Sequence, residues 1–247
     1  MVNEILLNIG RLSVFTLSFF LVLAYLWYCF VVYKKGLEFR YTAETLYDLA
    51  LLSGALGWLF ARLGFVIEHF SVFKVNFLRL VLLSEYPGYN YLGLVIGLVL
   101  AVTILARREE IKSYEGLDLL GLGLPGAMAF ERLGRVFSGE VRLVWQLPLE
   151  LLQALVFLLI FVWLWRLEKE YRTFSWYRFR RTQARPGFIF GSFLFLSGLV
   201  VMLSNGWPLG LFGLILGAII IYGRSGRSLS HDVKLLPVIG KWYTKSK

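Results

Sequence analysis

The sequence predicts an all-α, polytopic integral membrane protein of about seven transmembrane helices, with its N-terminus outside and its C-terminus inside. Three observations carry this. First, 58% of the 247 residues are hydrophobic and only 17% are charged, against about 45–50% and roughly 25% in soluble domains. Second, the apolar residues form blocks near the ~20 residues that a helix needs to cross a bilayer, separated by short charged stretches. Third, basic residues are dense in alternate inter-block segments. The length holds six to eight such spans and leaves no room for a second, soluble domain, so residues 1–247 read as one transmembrane domain.

The first span covers residues 12–33 and is closed by Lys34 and Lys35. Residues 1–10 carry Glu4 and no Lys or Arg, and no small-residue cleavage site follows the long apolar run. A cleavable signal peptide needs both features, so this span is expected to be retained. The second, 47–70, contains Arg62 and ends in Glu68-His69. Residues 74–90 are part apolar and part polar, with Pro87-Gly88 as a turn signal, and read as an interfacial or re-entrant segment. The third span is 91–106, followed by Arg107, Arg108, Glu109, Glu110 and Lys112. The fourth, 117–130, is short and Gly-rich, and a charged outer segment, 131–142, follows it. The fifth is 147–165, with a strongly basic loop after it. The sixth is 188–203, the turn Ser204-Asn205-Gly206-Trp207-Pro208 follows, and the seventh is 209–222 before a basic tail.

Charge sets the orientation. With the N-terminus outside, the inner segments hold Lys34, Lys35 and Arg40, then Arg107, Arg108 and Lys112, then seven between Arg166 and Arg185, and six from Arg224 onward. That is 19 of the 26 Lys and Arg residues, and cytoplasmic loops are enriched in these residues. The net charge of +10 is thereby assigned to topology and anionic headgroups rather than to nucleic acid, for which no binding is expected. One cysteine, Cys29, and two histidines, His69 and His231, give no disulfide, no zinc framework and no expected metal or cofactor. Gly54 and Gly57, Gly93 and Gly97, Gly187 and Gly191, and Gly213 and Gly217 recur at helical spacing, as close helix packing in membranes requires.

Two arginine clusters carry the candidate chemistry. Arg62 lies within a span, where an unpaired arginine costs about 2.5–3.5 kcal/mol on insertion scales. Its readings are an internal pair with Glu68, a snorkelling side chain, or an anion site. Glu131, Arg132, Arg135, Glu140 and Arg142 form the second cluster. On a helix Arg132 and Arg135 share a face, and two guanidinium forks suit a phosphate. A Glu131–Arg135 pair at four-residue spacing would neutralise part of that clamp. An ordinary charged outer loop is the alternative. The segment 60–66, Phe-Ala-Arg-Leu-Gly-Phe-Val, matches 130–136, Phe-Glu-Arg-Leu-Gly-Arg-Val, at five of seven positions. No wider repeat accompanies it, which argues against an inverted-repeat transporter.

The order of these motifs resembles the prolipoprotein diacylglyceryl transferase family from about residue 9 to residue 222. The resemblance is carried by Ile9-Gly10-Arg11-Leu12-Ser13, Lys34-Lys35-Gly36-Leu37, Ala61-Arg62-Leu63-Gly64-Phe65-Val66 and the ungapped stretch from Asp118 to Glu140, in which Arg132, Gly134, Gly139 and Glu140 match. Leu147-Pro148-Leu149-Glu150 resembles a His-Pro motif, and Arg185-Pro186-Gly187 the approach to the sixth span. The resemblance implies a seven-span enzyme of the bacterial inner membrane. Such an enzyme transfers the diacylglyceryl group of phosphatidylglycerol to the lipobox cysteine of a prolipoprotein signal peptide. It implies Arg132 on the lipid phosphate and Glu140 orienting the site, while the residues themselves add Arg135 and Arg62 as candidate phospholipid-binding positions. The chain departs from the family at named positions: the family's general-base histidine falls on Tyr91, its N-terminal tyrosine near Leu17, its His-Pro histidine on Leu147, its sixth-span arginine near Val201, and a Gly and an Asn of its signature on Glu131 and Arg135. A thiolate is the nucleophile, and Tyr91 is a candidate catalytic residue, although a tyrosine with an ordinary pKa near 10 is a poor base for a thiol near 8.5 unless nearby arginines depress it. His69, with Glu68, is therefore the expected replacement base. A non-catalytic relative that binds anionic phospholipid or a lipobox peptide is the second reading, and a small-solute transporter the third.

Overall fold

The computed structural model describes residues 5–9, 12–73, 88–108, 110–139, 143–144, 147–172, 185–204 and 207–224. Seven long helices account for most of them. They are α1 (Thr16–Glu38), α2 (Ala43–Glu68), α3 (Tyr91–Arg107), α4 (Ser113–Ser138), α5 (Leu149–Arg172), α6 (Phe188–Leu203) and α7 (Trp207–Arg224). A single helical turn, Phe70–Phe73, follows α2. Two antiparallel strand pairs lie outside the bundle: β1 (Ile5–Ile9) with β2 (Leu12–Phe15), and the two-residue β3 (Leu143–Val144) with β4 (Leu147–Pro148). By length and composition α1, α2 and residues Leu149–Lys169 of α5 are sufficient to cross a membrane, and α3, α6 and α7 are shorter apolar helices.

Three expected boundaries are corrected. The first helix begins at Thr16 rather than residue 12, because Leu12–Phe15 pairs antiparallel with Ile5–Ile9 as a strand, with Ile9 opposite Leu12. The fifth begins at Leu149, after Pro148 has ended β4. The fourth is not short. It runs for 26 residues through most of what reads as a charged outer loop, and stops where Gly139 takes a left-handed conformation with φ 87. Its charges are compatible with helix because Glu131 pairs with Arg135 one turn along and with its neighbour Arg132. Residues 74–87, Glu140, Arg142 and the tail from residue 225 lie outside the described residues.

The bundle is organised around α4, whose residues 118–126 are buried without interruption. Nine consecutive buried positions cover every face of a helix. Around it pack α1, α5, α6 and, more lightly, α3. Two tight pairs complete the fold, α2 with α3 and α6 with α7. Glycine makes both pairs possible: a Cβ on Gly93 would collide with the Phe60 carbonyl, and one on Gly217 with the Phe195 amide. The glycine spacing read from the sequence is thus packing surface at Gly57, Gly93, Gly97, Gly191 and Gly217, whereas Gly187 (φ 101) opens α6. That opening is capped from another helix. Asp118 of α4, fully buried, accepts the Gly187 amide at 2.7 Å and the Phe190 amide at 2.9 Å.

Polarity is inverted relative to a soluble protein. Large apolar side chains such as Ile67, Leu159 and Ile219 are 60–74% exposed, while Lys35, Arg62 and Asp118 are at most 3% exposed. Lipid is the solvent that makes such a surface favourable. Lys35 sits at the predicted inner end of α1, bonded to Glu38 at 2.6 Å and to Glu168 of α5 at 2.8 Å, with its ammonium 4.3 Å from the Trp165 ring centroid. Cys29 is a free thiol, half-buried in α1.

Substituting Gly93→Leu is expected to destabilise the α2–α3 pair by about 1–3 kcal/mol through overpacking, read as a lower melting temperature in detergent. Gly223→Ala, where nothing lies within 4 Å of the added carbon, is expected to leave it unchanged.

Candidate active site

The candidate residues lie at the predicted outer end of the bundle, where α2, α4 and α6 finish and α3 and α5 begin. Contacts gather them into two groups. The first is on the last two turns of α4. Glu131 stands between the two arginines: Arg135 Nε donates to its Oε1 at 2.5 Å, and Arg132 Nε lies 3.2 Å from its Oε2. All three side chains are half-buried, with Arg135 the most open at 32% exposure. The clamp read from the sequence is therefore a triad of net charge +1, in which one carboxylate is shared by two guanidinium groups. Each guanidinium has five N–H donors, so a pairing through Nε does not by itself exhaust its capacity for a phosphate.

Packing fixes this end of α4 against α1. Phe137 stacks on Phe20 with centroids 5.3 Å apart. Gly134 is so close to α1 that a Cβ would lie 2.7 Å from Phe20 Cβ and 3.2 Å from Leu17 Cδ1. Leu17 thus sits within a turn of Arg132 and Arg135, and brings no hydroxyl to that place.

The second group joins α2 to α3. Arg62 is buried, and its Nη1 donates to the Gly88 carbonyl at 3.1 Å while its guanidinium stands over the Phe65 and Phe73 rings at 5.7 and 5.3 Å. It is neither snorkelling nor turned to Glu68 in these contacts; Glu68 accepts from Asn90 Nδ2 at 3.0 Å. Asn90 is the residue that sequence reasoning missed. Its backbone amide donates to the Ala61 carbonyl at 2.9 Å, and its Oδ1 caps α3 by accepting the Gly93 amide at 3.0 Å. The signal was present, since an asparagine immediately before an apolar run is a strong N-cap. His69 lies exposed at the end of α2, with Nδ1 3.1 Å from the Phe65 carbonyl oxygen. Tyr91, the first residue of α3, shares a 2.5 Å hydrogen bond with Ser197 of α6. Its phenol is engaged by a buried hydroxyl, and Val201 follows one turn further out along α6. Glu140 lies outside the described residues.

On α5, Glu150 and Gln153 are 2% and 4% exposed on the face turned from lipid, a burial that the strongly apolar helix 149–165 does not announce.

A sequence profile described as prolipoprotein diacylglyceryl transferase matches residues 4–207, which is most of the chain. The chain belongs to the prolipoprotein diacylglyceryl transferase family. Among its relatives, the phosphatidylglycerol–prolipoprotein diacylglyceryl transferase of Wolbachia pipientis wMel is 27% identical over 140 residues, covering 56% of this chain and 53% of that protein. The protein of the same name from Marinomonas sp. (strain MWYL1) is 28% identical over 160 residues, 63% of this chain and 58% of its own length. That from Tropheryma whipplei (strain Twist) is 27% identical over 112 residues, 45% and 39%. The chain spans about half the length of the curated relatives it matches. In this member of the diacylglyceryl transferase family the central helix ends in two arginines that share one carboxylate.

Removing that carboxylate tests its shielding role. Glu131→Gln is expected to tighten binding of phosphatidylglycerol-containing nanodiscs to the purified protein by about fivefold, since one basic charge near a lipid surface is worth about 1 kcal/mol. The gain is expected to shrink at high salt.

Proposed function

We propose that this chain is a transferase of the bacterial inner membrane, N-out and C-in. It moves diacylglyceryl from phosphatidylglycerol to the lipobox cysteine of a prolipoprotein. The observation that carries this reading is the family match running through α4, whose last two turns hold Arg132 and Arg135 on one face. A carbon–sulfur bond forms at the glyceryl carbon, the carbon–oxygen bond to phosphate breaks, and glycerol phosphate leaves. The thiol proton passes to a base. Arg132, with Arg135, holds the phosphate and stabilises the charge that collects on it as it departs. Arg62 supports the outer end of α2 rather than meeting the lipid directly, since its guanidinium is buried against Gly88 and two rings.

His69 is the proposed base. It is exposed at the end of α2, next in sequence to Glu68, which Asn90 ties to the start of α3. An imidazole is the side chain type best suited to accept a proton near neutral pH. Tyr91 is assigned a positioning role, because its hydroxyl already bonds Ser197. Glu140 is retained as the residue that orients the site, on the family match alone.

A second reading, a lipid-binding relative without turnover, is favoured by the side chains at the family's catalytic positions. A Tyr91–Ser197 hydroxyl pair stands where the family histidine is expected, Leu17 where its tyrosine is, and Glu131 within the arginine pair.

Transfer of labelled diacylglyceryl from phosphatidylglycerol to a lipobox peptide by the purified protein separates the two. Arg132→Ala is expected to lower transfer by about a hundredfold or more. No transfer by the unmodified chain, with lipid binding that still depends on Arg132, would establish the second reading. His69→Ala is expected to lower transfer by about a hundredfold at neutral pH; unchanged turnover in that variant would remove His69 from the mechanism.

A further inference from the structure

Gln153 is the one fully buried amide side chain in the described outer half of the bundle, and it is unpaired. It is 4% exposed, and neither its Nε2 nor its Oε1 has a hydrogen-bond partner. Its neighbours in sequence, Leu151, Leu152 and Leu155, are 41–55% exposed toward lipid, whereas Glu150, Ala154 and Phe157 are buried with it on the face that α5 turns to α4 and α6. An amide stripped of water and left without partners is destabilising wherever it occurs, and more so at membrane depth. A leucine would fill such a position at no such cost. Retention of Gln153 is accounted for if its partners arrive with a ligand.

The required chemistry is narrow. The amide presents two donors and an acceptor with two lone pairs, so its complement both gives and takes hydrogen bonds and carries no charge. A vicinal diol does this. Gln153 is the fifth residue of α5, about 6 Å along the axis from its outer end, and Arg132 lies about 9 Å from the outer end of the adjoining α4. Each thus lies within two turns of the outer end of its own helix, and the two helices pack together, so a headgroup whose phosphate meets Arg132 can direct its distal glycerol toward α5. We propose that Gln153 recognises the glycerol hydroxyls of phosphatidylglycerol and selects this lipid over anionic phospholipids that lack them. The inference rests on the proposed placement of lipid phosphate at Arg132.

The test compares binding of phosphatidylglycerol and phosphatidic acid, with matched acyl chains, to the purified full-length protein and to Gln153→Met. The unmodified protein is expected to prefer phosphatidylglycerol by about tenfold, the worth of one or two hydrogen bonds to a buried group. Gln153→Met abolishes the preference, leaves phosphatidic acid binding unchanged, and raises the melting temperature without lipid by about 2–4 °C, since an unpaired amide has been removed. A structural glutamine behaves oppositely: its loss lowers the melting temperature and spares the preference, and either result overturns the proposal. Arg132→Ala in the same assay separates the two levels. If it weakens both lipids while Gln153→Met leaves their ratio intact, only the glycerol contact is wrong. If it weakens neither, the phosphate site and the inference built on it fall together.

Discussion

Helices surrounded by lipid gain nothing from hiding apolar surface from one another, because the lipid tails are as apolar as the partner helix. What holds them is the closeness of backbone approach and the polar groups that can be satisfied only inside. Both demands are met on α4. Its glycines at 116, 121, 123, 126 and 134 lie against side chains or backbone of α1, α3 and α6 at distances that no larger residue tolerates without displacement. The consequence for function is positional. The arginines at the end of α4 are carried by the most enclosed element of the bundle, so their location follows from the packing of four other helices rather than from a loop.

Buried charge is distributed on the same logic. Lys35 meets Glu38 and Glu168, Asp118 caps α6, and Arg62 is bonded to a carbonyl and stands over two aromatic rings. Each of these three charges lost to water is compensated in kind, as low-dielectric surroundings require. The interhelical charge contacts also connect elements distant in sequence, α1 to α5 and α4 to α6. They therefore fix which helix stands beside which, a property that interchangeable apolar faces specify weakly. Among the described residues Trp27, Glu110 and Gln153 depart from this pattern, and only in Gln153 are both atoms of the amide left without a partner.

Much of this architecture is readable in the residues themselves. The apolar block 188–203 coincides with α6, and 91–106 falls one residue short of α3. Where hydropathy misled, charge neutralisation was the reason. Glu131, Arg132 and Arg135 look like the end of a span when counted singly, yet at i, i+1 and i+4 they are mutual partners on a continuing helix. The i, i+4 spacing did announce the Glu131–Arg135 pair. Contacts between elements were not legible in the same way: nothing in a linear pattern brings Ser197 to Tyr91 or Glu68 to Asn90. Local rules covered the helices and their caps, and long-range placement required the bundle.

Asn90 attaches the start of α3 to α2 by its backbone at Ala61 and by its side chain at Glu68. Tyr91 is the next residue, so these contacts tie its position directly to α2. Insertions, deletions or wholesale replacement in residues 74–87 should then be tolerated among homologues without moving the phenol from Ser197. Variation in length there, beside constancy of the Arg-Leu-Gly segment of α2, is the evolutionary pattern that these cross-links permit.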